Sequence, residues 1–350
     1  MLGFAIVGCG MIARFHARAL TDVPNTALKA VVSRSQGNAE KMVKELNLAC
    51  AATTNFDAVL SRSDIHVVIV TTPSGAHMEP AIAAAAAGKH VVVEKPLEIT
   101  LERCDRIIDA CLENRVQLCT IFPSRFGDAN QELKKAVSAG RFGRLTLGET
   151  TCKWWRPQSY YDEGGWKGTT SLDGGGALMN QAIHNVDLLQ WLMGRAVTHI
   201  TGFTARLAHE RIEVEDTAVA CLRFDNGALG VIQAATSVWP GLPKTIAIHG
   251  DKGSAVIEQD DLLRWEFSPE REEDQAIRQR FAQKTGASGG SSNPAAISHV
   301  GHARQLADFA EAITTGRPPL VDGREGRKAV EIILGIYQAM ATGRVVELKR

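Results

Sequence analysis

The sequence predicts an α/β protein of two domains. A doubly wound parallel sheet comes first, and an α/β domain with a large open, mostly antiparallel sheet follows it. Three observations carry this expectation. The chain has 350 residues, beyond the size at which a single hydrophobic core stops growing. Its first third alternates short β-branched runs with helical stretches, and the remainder turns to strand-like runs punctuated by hairpin signals.

The first third reads as strands at Phe4–Val7, Ala27–Val32, His66–Val70, His90–Val93 and Val116–Ile121. Between them lie helices at Ile12–Leu20, Gly37–Leu46, Phe56–Ser61, His77–Ala87 and Leu101–Glu113. Near-continuous apolar strands are those covered on both faces, as in a parallel sheet. The first domain is therefore expected over 1–121 and the second over 122–350. In the second, a helix is expected at Gln131–Ala139, a strand at Leu145–Cys152 and a strong helix at Gly176–Met193. Strands follow at His199–Ala205, Thr217–Phe224, Ala228–Ser237, Thr245–His249, Ser254–Glu258 and Leu262–Phe267. Asp225-Asn226-Gly227 and Asp251-Lys252-Gly253 are hairpin turns, so this sheet is largely antiparallel. Thr285–Pro294 has the composition of a flexible loop, and helices at His302–Thr315 and Arg324–Thr342 complete the chain.

Composition narrows the function classes. Lys+Arg and Asp+Glu are both 39, so the basic excess of a nucleic-acid binder is missing. The seven cysteines include no C-x-x-C pair, which suits reduced thiols better than disulfides or zinc. There is no H-x-x-x-H or H-E-x-x-H, and no metal is expected. The apolar run Ala81–Ala87 is too short to span a bilayer, and no charged segment precedes Leu2, so a cytoplasmic protein is expected.

The run Gly8-Cys9-Gly10-Met11-Ile12-Ala13 is a G-x-G-x-x-A turn between a strand and a helix. Gly8 allows the tight turn, Gly10 lets the backbone approach a pyrophosphate, and Ala13 lets the helix pack closely on the strand. Met11 and Ile12 open the helix, whose N–H groups and dipole then face the phosphates. Strand, turn, helix and second strand in this order make a Rossmann nicotinamide-dinucleotide site the expectation. An acid at the end of the second strand selects NAD; here stand Ser33-Arg34-Ser35, a cation and two hydroxyls that suit a 2′-phosphate. NADP is favoured over NAD.

With these residues in hand, the chain resembles the Gfo/Idh/MocA family (glucose-fructose oxidoreductase, inositol dehydrogenase and rhizopine catabolism proteins) over nearly its whole length. The matching stretches are Gly8 to His16, Thr72-Pro73-Ser74-Gly75-Ala76-His77, Ala87-Gly88-Lys89-His90, Glu94-Lys95-Pro96, Arg125, Gly164 to Gly168, and Gly174 to Asp187. The resemblance implies hydride transfer between NAD(P) and a carbinol carbon of a sugar or cyclitol. It also implies a second-domain sheet used in oligomer contacts, so a homo-oligomer, dimer or tetramer, is expected.

Lys95 follows the fourth expected strand, at the sheet edge where ligands bind. An alcohol loses hydride only as its hydroxyl loses a proton, which calls for an acid/base on that oxygen. A lysine partly desolvated beside a cationic nicotinamide has its pKa lowered towards that task. A lysine at a strand end is ordinarily a solvated charge; the Glu94-Lys95-Pro96 setting reverses that, and by resemblance this lysine touches both the reacting hydroxyl and the cofactor ribose. Asn180, His184 and Asp187 recur at i, i+4 and i+7 on an otherwise apolar helix. Such a stripe is either an internal hydrogen-bond network or a face turned to substrate. By resemblance His184 is the active-site histidine, and histidine suits a proton relay. Many family members carry aspartate where Asn180 stands. Asparagine cannot charge-stabilise His184, so Asn180 is expected to orient substrate while Lys95 moves the proton. Asp187 is expected to be structural.

The remaining candidates follow the same lines. Thr72, Pro73, Ser74, His77 and Glu94 are expected near the cofactor, with Ser74 capping the helix that His77 opens. Trp166 and Lys167 match a family Trp-Arg pair that reaches the cofactor. Arg125, Arg156, Tyr160 and Tyr161 are candidate substrate contacts, since guanidinium forks and aromatic faces suit carboxylates and sugars. For the tyrosines, packing or a subunit contact weighs equally. The leading expectation is an NAD(P)-dependent dehydrogenase or reductase of a sugar, sugar acid or cyclitol. A rival enzyme is a nucleotide-sugar dehydrogenase oxidising the hexose C3 hydroxyl. A rival of another class is a sensing regulator that kept the fold and lost catalysis, against which Lys95 and His184 stand.

Overall fold

A computed structural model describes residues 1–163, 165–282, 290–291 and 298–348. The chain divides into two compact units.

The first unit comprises Met1–Pro123, Ser171–Gly174 and Ser298–Val330. It runs β1 (Leu2–Val7), α1 (Met11–Thr21), β2 (Thr26–Val32), α2 (Gln36–Glu45), β3 (Ala51–Thr53), α3 (Phe56–Leu60), β4 (Val67–Val70), α4 (Met78–Ala86), β5 (His90–Val93), α5 (Leu101–Glu113) and β6 (Leu118–Thr120). The six strands are parallel in the order β3-β2-β1-β4-β5-β6. Strand order reverses beside β1, and ligands of such sheets bind at the carboxyl ends of the strands at that point. Five of these strands match the expectation from β-branched runs. The sixth, β3, is a three-residue edge strand with no fully buried residue, so no apolar run marks it.

The segment Ser298–Val330 also belongs to this unit, whereas the expected division placed everything after residue 121 in the second domain. Ala303, Leu306 and Phe309 join the core built by Phe4, Ile6, Val67 and Val92. Gln305 completes the edge of β6: its Nε2 donates to the Thr120 carbonyl at 2.7 Å and its Oε1 accepts from the Phe122 N–H at 2.9 Å. The Thr120 N–H donates to the Val321 carbonyl at 3.0 Å. A sheet edge that would otherwise be open to pairing is covered. Helical periodicity says that a face is buried, and does not say in which core.

The second unit comprises Ser124–Thr170, Gly175–Ile297 and Glu331–Arg350. It runs α6 (Asp128–Ser138), β7 (Leu145–Lys153), α7 (Gln158–Asp162), a π-helical segment Ala177–Ala182, α8 (Ile183–Met193), β8 (Val197–Ala205), β9 (Thr217–Phe224), β10 (Leu229–Ala235), β11 (Thr245–Gly250), β12 (Gly253–Glu258), β13 (Asp261–Phe267) and α9 (Glu272–Arg280). After α10 (Val300–Thr315), which lies in the first unit, come α11 (Gly323–Thr342), whose residues from Glu331 on belong to the second, and β14 (Val346–Glu347). The eight strands are ordered β13-β12-β11-β7-β10-β9-β8-β14. Neighbours are antiparallel except β7 and β10, which are parallel. Ala218, Ala220, Leu222 and Phe224 of β9 are buried while Val219, Cys221 and Arg223 are exposed, so one face of the sheet is packed. Helix α8 packs on β7 and β11.

Three elements here carry no amphipathic signal and escape the sequence. They are α7, β14 and the polar helix α9, whose Asp274 is tied to Arg141 at 2.7 Å and to the Trp265 indole at 2.9 Å. The Thr285–Pro294 loop lies outside the described residues apart from Gly290 and Ser291. The seven cysteines form no disulfide. Among the described residues no helix is long and apolar enough to cross a membrane.

Candidate functional site

In the first unit, the candidate residues gather at the carboxyl ends of β1, β2, β4 and β5. Gly8 has φ 105°, and a Cβ there would lie 2.6 Å from the Thr71 carbonyl oxygen, so neither the conformation nor the space admits a side chain. Gly10 is the N-cap of α1; nothing in the structure lies within 4 Å of a Cβ built on it, and no side chain caps the helix. The glycine thus clears room outward, over a helix start whose N–H groups no side chain of the described residues takes. That cradle fits a pyrophosphate. Met11 is half exposed, Ile12 partly buried, and Ala13 fully buried against the sheet, as the packing of α1 requires. At the end of β2, the Ser33 hydroxyl accepts from the Ser35 N–H at 3.3 Å and Arg34 is exposed.

The loop after β4 differs from expectation. Ser74 is buried within a 3₁₀ turn, Ser74–Ala76, and the N-cap of α4 is His77, so Ser74 caps nothing. Pro73 precedes that turn, and the Thr72 hydroxyl donates to the Ala76 carbonyl at 2.8 Å. His77, expected at the cofactor, is 1% exposed. Its Nδ1 stands 2.9 Å from the Pro96 carbonyl oxygen and its Nε2 3.0 Å from that of Thr72. The ring links the loop after β4 to the loop after β5. Burial pushes its pKa down, against the pull of Glu98 and the two carbonyls.

Lys95, half buried, leaves β5 directly after Glu94. Glu94 is buried; one carboxylate oxygen accepts from His16 Nε2 at 2.7 Å and the other from the Lys95 main-chain N–H at 3.0 Å. Burial alone would raise this carboxyl, but His16, His302 and Lys95 outweigh it and hold it at about 2. His302 of α10 places Nε2 3.9 Å from the same oxygen, and its ring meets that of His16 edge-on at 5.3 Å. Burial, with His16 adding to it, pushes His302 down to about 4. Sequence reasoning missed both histidines as companions of Glu94. His302 lies more than 200 positions from Glu94, and no spacing rule connects them. The three side chains bring donor atoms within 4.8 Å of one another. Metal-ligating histidines, however, hand their second nitrogen to a partner, and Nδ1 of His16 and of His302 has none among the described residues. The cluster is a buried carboxylate hydrogen-bonded to the His16 ring, with the neutral imidazole of His302 beside it.

The second unit holds the other candidates. The helix expected as one piece over Gly176–Met193 is π-helical over Ala177–Ala182, the stretch that carries Asn180, and α-helical from Ile183. Such wide turns recur at functional sites. Its start is shaped by Glu215, another residue the sequence did not flag. The Glu215 carboxylate accepts from the Gly176 N–H at 3.0 Å, the Leu178 N–H at 2.8 Å and the Tyr337 hydroxyl at 3.0 Å, and its carbonyl takes the Ala177 N–H. A Cβ at Gly176 would sit 1.8 Å from the Glu215 carbonyl oxygen, so only glycine admits this approach. Burial raises the Glu215 carboxyl to about 6 against those bonds.

Asn180 and His184 are both half buried, four residues apart across the π-to-α junction. Asp187 is fully buried and takes the Arg125 fork at 2.8 and 2.6 Å. Arg125 was expected at the substrate; its guanidinium instead serves a carboxylate of the chain, as a buried cation requires. Arg156 is likewise 1% exposed, donating to the carbonyls of Trp155, Gly290 and Ser291 and to Gln181 Oε1. It too is turned inward. Tyr161 is core: it packs with Ile212 and Val214 and donates to the Thr236 hydroxyl at 2.9 Å. Tyr160 is half buried, accepts from Gln181 Nε2 at 3.1 Å and has the Lys167 ammonium 3.8 Å over its ring. Trp166 is partly buried, and its carbonyl accepts from the Thr169 hydroxyl. The second unit therefore groups Tyr160, Lys167, Asn180 and, through Gln181, Arg156, while Arg125 and Tyr161 serve the interior.

Residues 2–122 match the oxidoreductase family with an NAD-binding Rossmann fold, and residues 130–256 match the GFO/IDH/MocA C-terminal domain. The WlbA dehydrogenase from Bordetella pertussis, solved with NADH and UDP-GlcNAcA, is 32% identical with a TM-score of 0.90 over 100% of this chain and 98% of its own. The chain belongs to the Gfo/Idh/MocA family. The WlbA dehydrogenase from Chromobacterium violaceum, also solved with NADH and UDP-GlcNAcA, is 33% identical with a TM-score of 0.87 over 99% of this chain and 96% of its own. Myo-inositol 2-dehydrogenase of Thermotoga maritima is 26% identical over 98% of each chain. As a Gfo/Idh/MocA member this protein is an NAD-binding oxidoreductase of the sugar and cyclitol dehydrogenase family.

Proposed function

We propose that this protein oxidises a hydroxyl, that on C3, of a nucleotide-linked hexuronic acid. The observation that carries the reading is the pair of WlbA dehydrogenases, which match at 32% and 33% identity over essentially full length and were both solved with NADH and UDP-GlcNAcA. The inositol dehydrogenase stands at 26%. Oxidising an alcohol removes a hydride from carbon and a proton from oxygen. The nicotinamide, when bound, accepts the hydride. Lys95 takes the hydroxyl proton, and His184 and Asn180 hydrogen-bond and orient the sugar. Gly8, Gly10 and the start of α1 hold the pyrophosphate, and Ser33 with Arg34 favours the 2′-phosphate of NADP. Homo-oligomerisation is supported by the exposed pair Phe203 and Val219, which face each other across β8 and β9.

A panel of UDP-linked hexuronates, free sugar acids, hexoses and polyols, each with NAD and NADP, tests the reading by absorbance of reduced nicotinamide. Turnover of the nucleotide-linked acids well above all others supports it. Turnover of free polyols alone replaces it with the cyclitol reading, and saturable sugar binding without turnover replaces it with a sensing regulator.

A further inference from the structure

Both oxygens of the Glu215 carboxylate are committed to main-chain N–H groups just before Asn180. Oε2 accepts from Gly176 at 3.0 Å and Oε1 from Leu178 at 2.8 Å, while the Glu215 carbonyl accepts from Ala177 at 3.0 Å. Three successive N–H groups at the start of the π-helical segment, which no earlier turn satisfies, thus end on one residue. The path from it to Asn180 is two bonds long. Gly176 donates to Glu215, and the Gly176 carbonyl accepts the Asn180 N–H at 3.0 Å. Among the described residues no cation pairs with this buried carboxylate. What the ionised group supplies is two acceptor oxygens and no donor, which no neutral side chain of its length offers.

Resting on the function proposed above, we infer that Glu215 is a positioning residue of the active site: as an ionised carboxylate accepting from Gly176 and Leu178 at once, it fixes the π-helical turn and with it the placement of Asn180 and His184 against the sugar. Protonation puts a donor on one of the two oxygens and weakens the cap. Burial raises this carboxyl to about 6, so the cap loosens just below neutral pH. The Tyr337 hydroxyl of α11 donates to Oε1 at 3.0 Å and favours the ionised form. Asp216, next along the chain, is turned away to the N–H groups of Leu207, Ala208 and His209 and to the His209 ring.

The test compares the wild type, Glu215→Gln and Tyr337→Phe as full-length proteins. Kinetics with UDP-linked N-acetylglucosaminuronic acid are followed from about pH 8 to about pH 5, across the range in which the carboxyl titrates. NADH binding is read by fluorescence and folding by thermal melts. Glutamine has the size of the protonated carboxyl but a single oxygen, so its NH₂ must confront the N–H of either Gly176 or Leu178. At about pH 8, Glu215→Gln should raise KM for the sugar nucleotide and lower kcat/KM roughly tenfold, with NADH binding unchanged. The gap should close towards about pH 5, where the wild-type carboxyl is protonated and bonds as an amide does. Both proteins keep Lys95 and His184, so titration of those groups cancels in the ratio. Tyr337→Phe keeps both acceptors but loses a bond to the ionised form, so its KM should rise at higher pH than in the wild type. A merely structural role predicts lower melting temperatures and a ratio that does not change with pH. Such a flat ratio, or wild-type KM and kcat with Glu215→Gln at the alkaline end, overturns the inference. If Glu215→Gln does not fold, an unmoved pH profile of Tyr337→Phe overturns it instead. If the wild type turns over no nucleotide-linked acid, the functional reading fails by itself, and the same ratio is measured on the substrate the panel finds.

Discussion

The Glu94 carboxylate accepts the main-chain N–H of Lys95 at 3.0 Å while His16 holds its other oxygen at 2.7 Å. The residue proposed to move the proton therefore leaves the sheet from an anchored position. Glu94, held at about 2, stays ionised throughout the neutral range and keeps the anchor in place. Lys95→Ala removes the proposed proton acceptor and leaves the anchor, the Gly8 turn and α1 intact. Turnover should fall by about 10²–10⁴-fold while NADH still quenches protein fluorescence. Turnover near the wild-type rate would take Lys95 out of the chemistry.

The same anchor has a pH signature. His302 is held at about 4, below its ordinary 6.5, because burial disfavours the imidazolium. A depressed histidine contributes stability that is fully present above pH 6.5 and is lost as pH falls towards 4. The wild-type melting temperature should decline across that window. His302→Gln, with nothing to protonate there, should flatten the decline; an unchanged slope would remove His302 as its source.

Arg125 and Asp187 make a buried bidentate pair, with side-chain exposures of 1% and 0%. Removing one partner strands a buried charge. Arg125→Met should destabilise the protein by about 3–5 kcal/mol in denaturant unfolding, and Arg125→Met with Asp187→Leu should recover most of the loss. A substrate-binding role for Arg125 predicts raised KM with little change in stability.

The proposed preference for NADP rests on the end of β2. Ser33→Asp combined with Arg34→Ala supplies the acid that binds ribose hydroxyls and removes the cation for a 2′-phosphate. The NADP/NAD ratio of kcat/KM should fall about tenfold or more. An unchanged or higher ratio would show that this loop does not read the 2′ position.

Local chemistry made much of the molecule legible. The strand runs, the Gly8 turn and the hairpin glycine Gly227, with φ 85°, depend on rules that act over a few residues. What escaped depends on distance in the chain. His302 meets Glu94, Gln305 completes the edge of β6, and Glu215 receives the start of the π-helical segment. Each partnership is created by the fold, and neither member's neighbours announce it. Arginines misled for the same reason: an exposed fork and a buried one look alike until Asp187 is found beside Arg125 or three carbonyls around Arg156.

The fate of the C3 hydride decides whether this protein oxidises a nucleotide-linked hexuronate. UDP-linked N-acetylglucosaminuronic acid deuterated at C3 is incubated with the enzyme and oxidised nicotinamide cofactor, and the reduced cofactor is analysed by mass spectrometry. Reduced cofactor that carries the deuterium is expected from the wild type and is lost with Lys95→Ala. Reduced cofactor without the label, or no reduction with this substrate while a free polyol is oxidised, would contradict it.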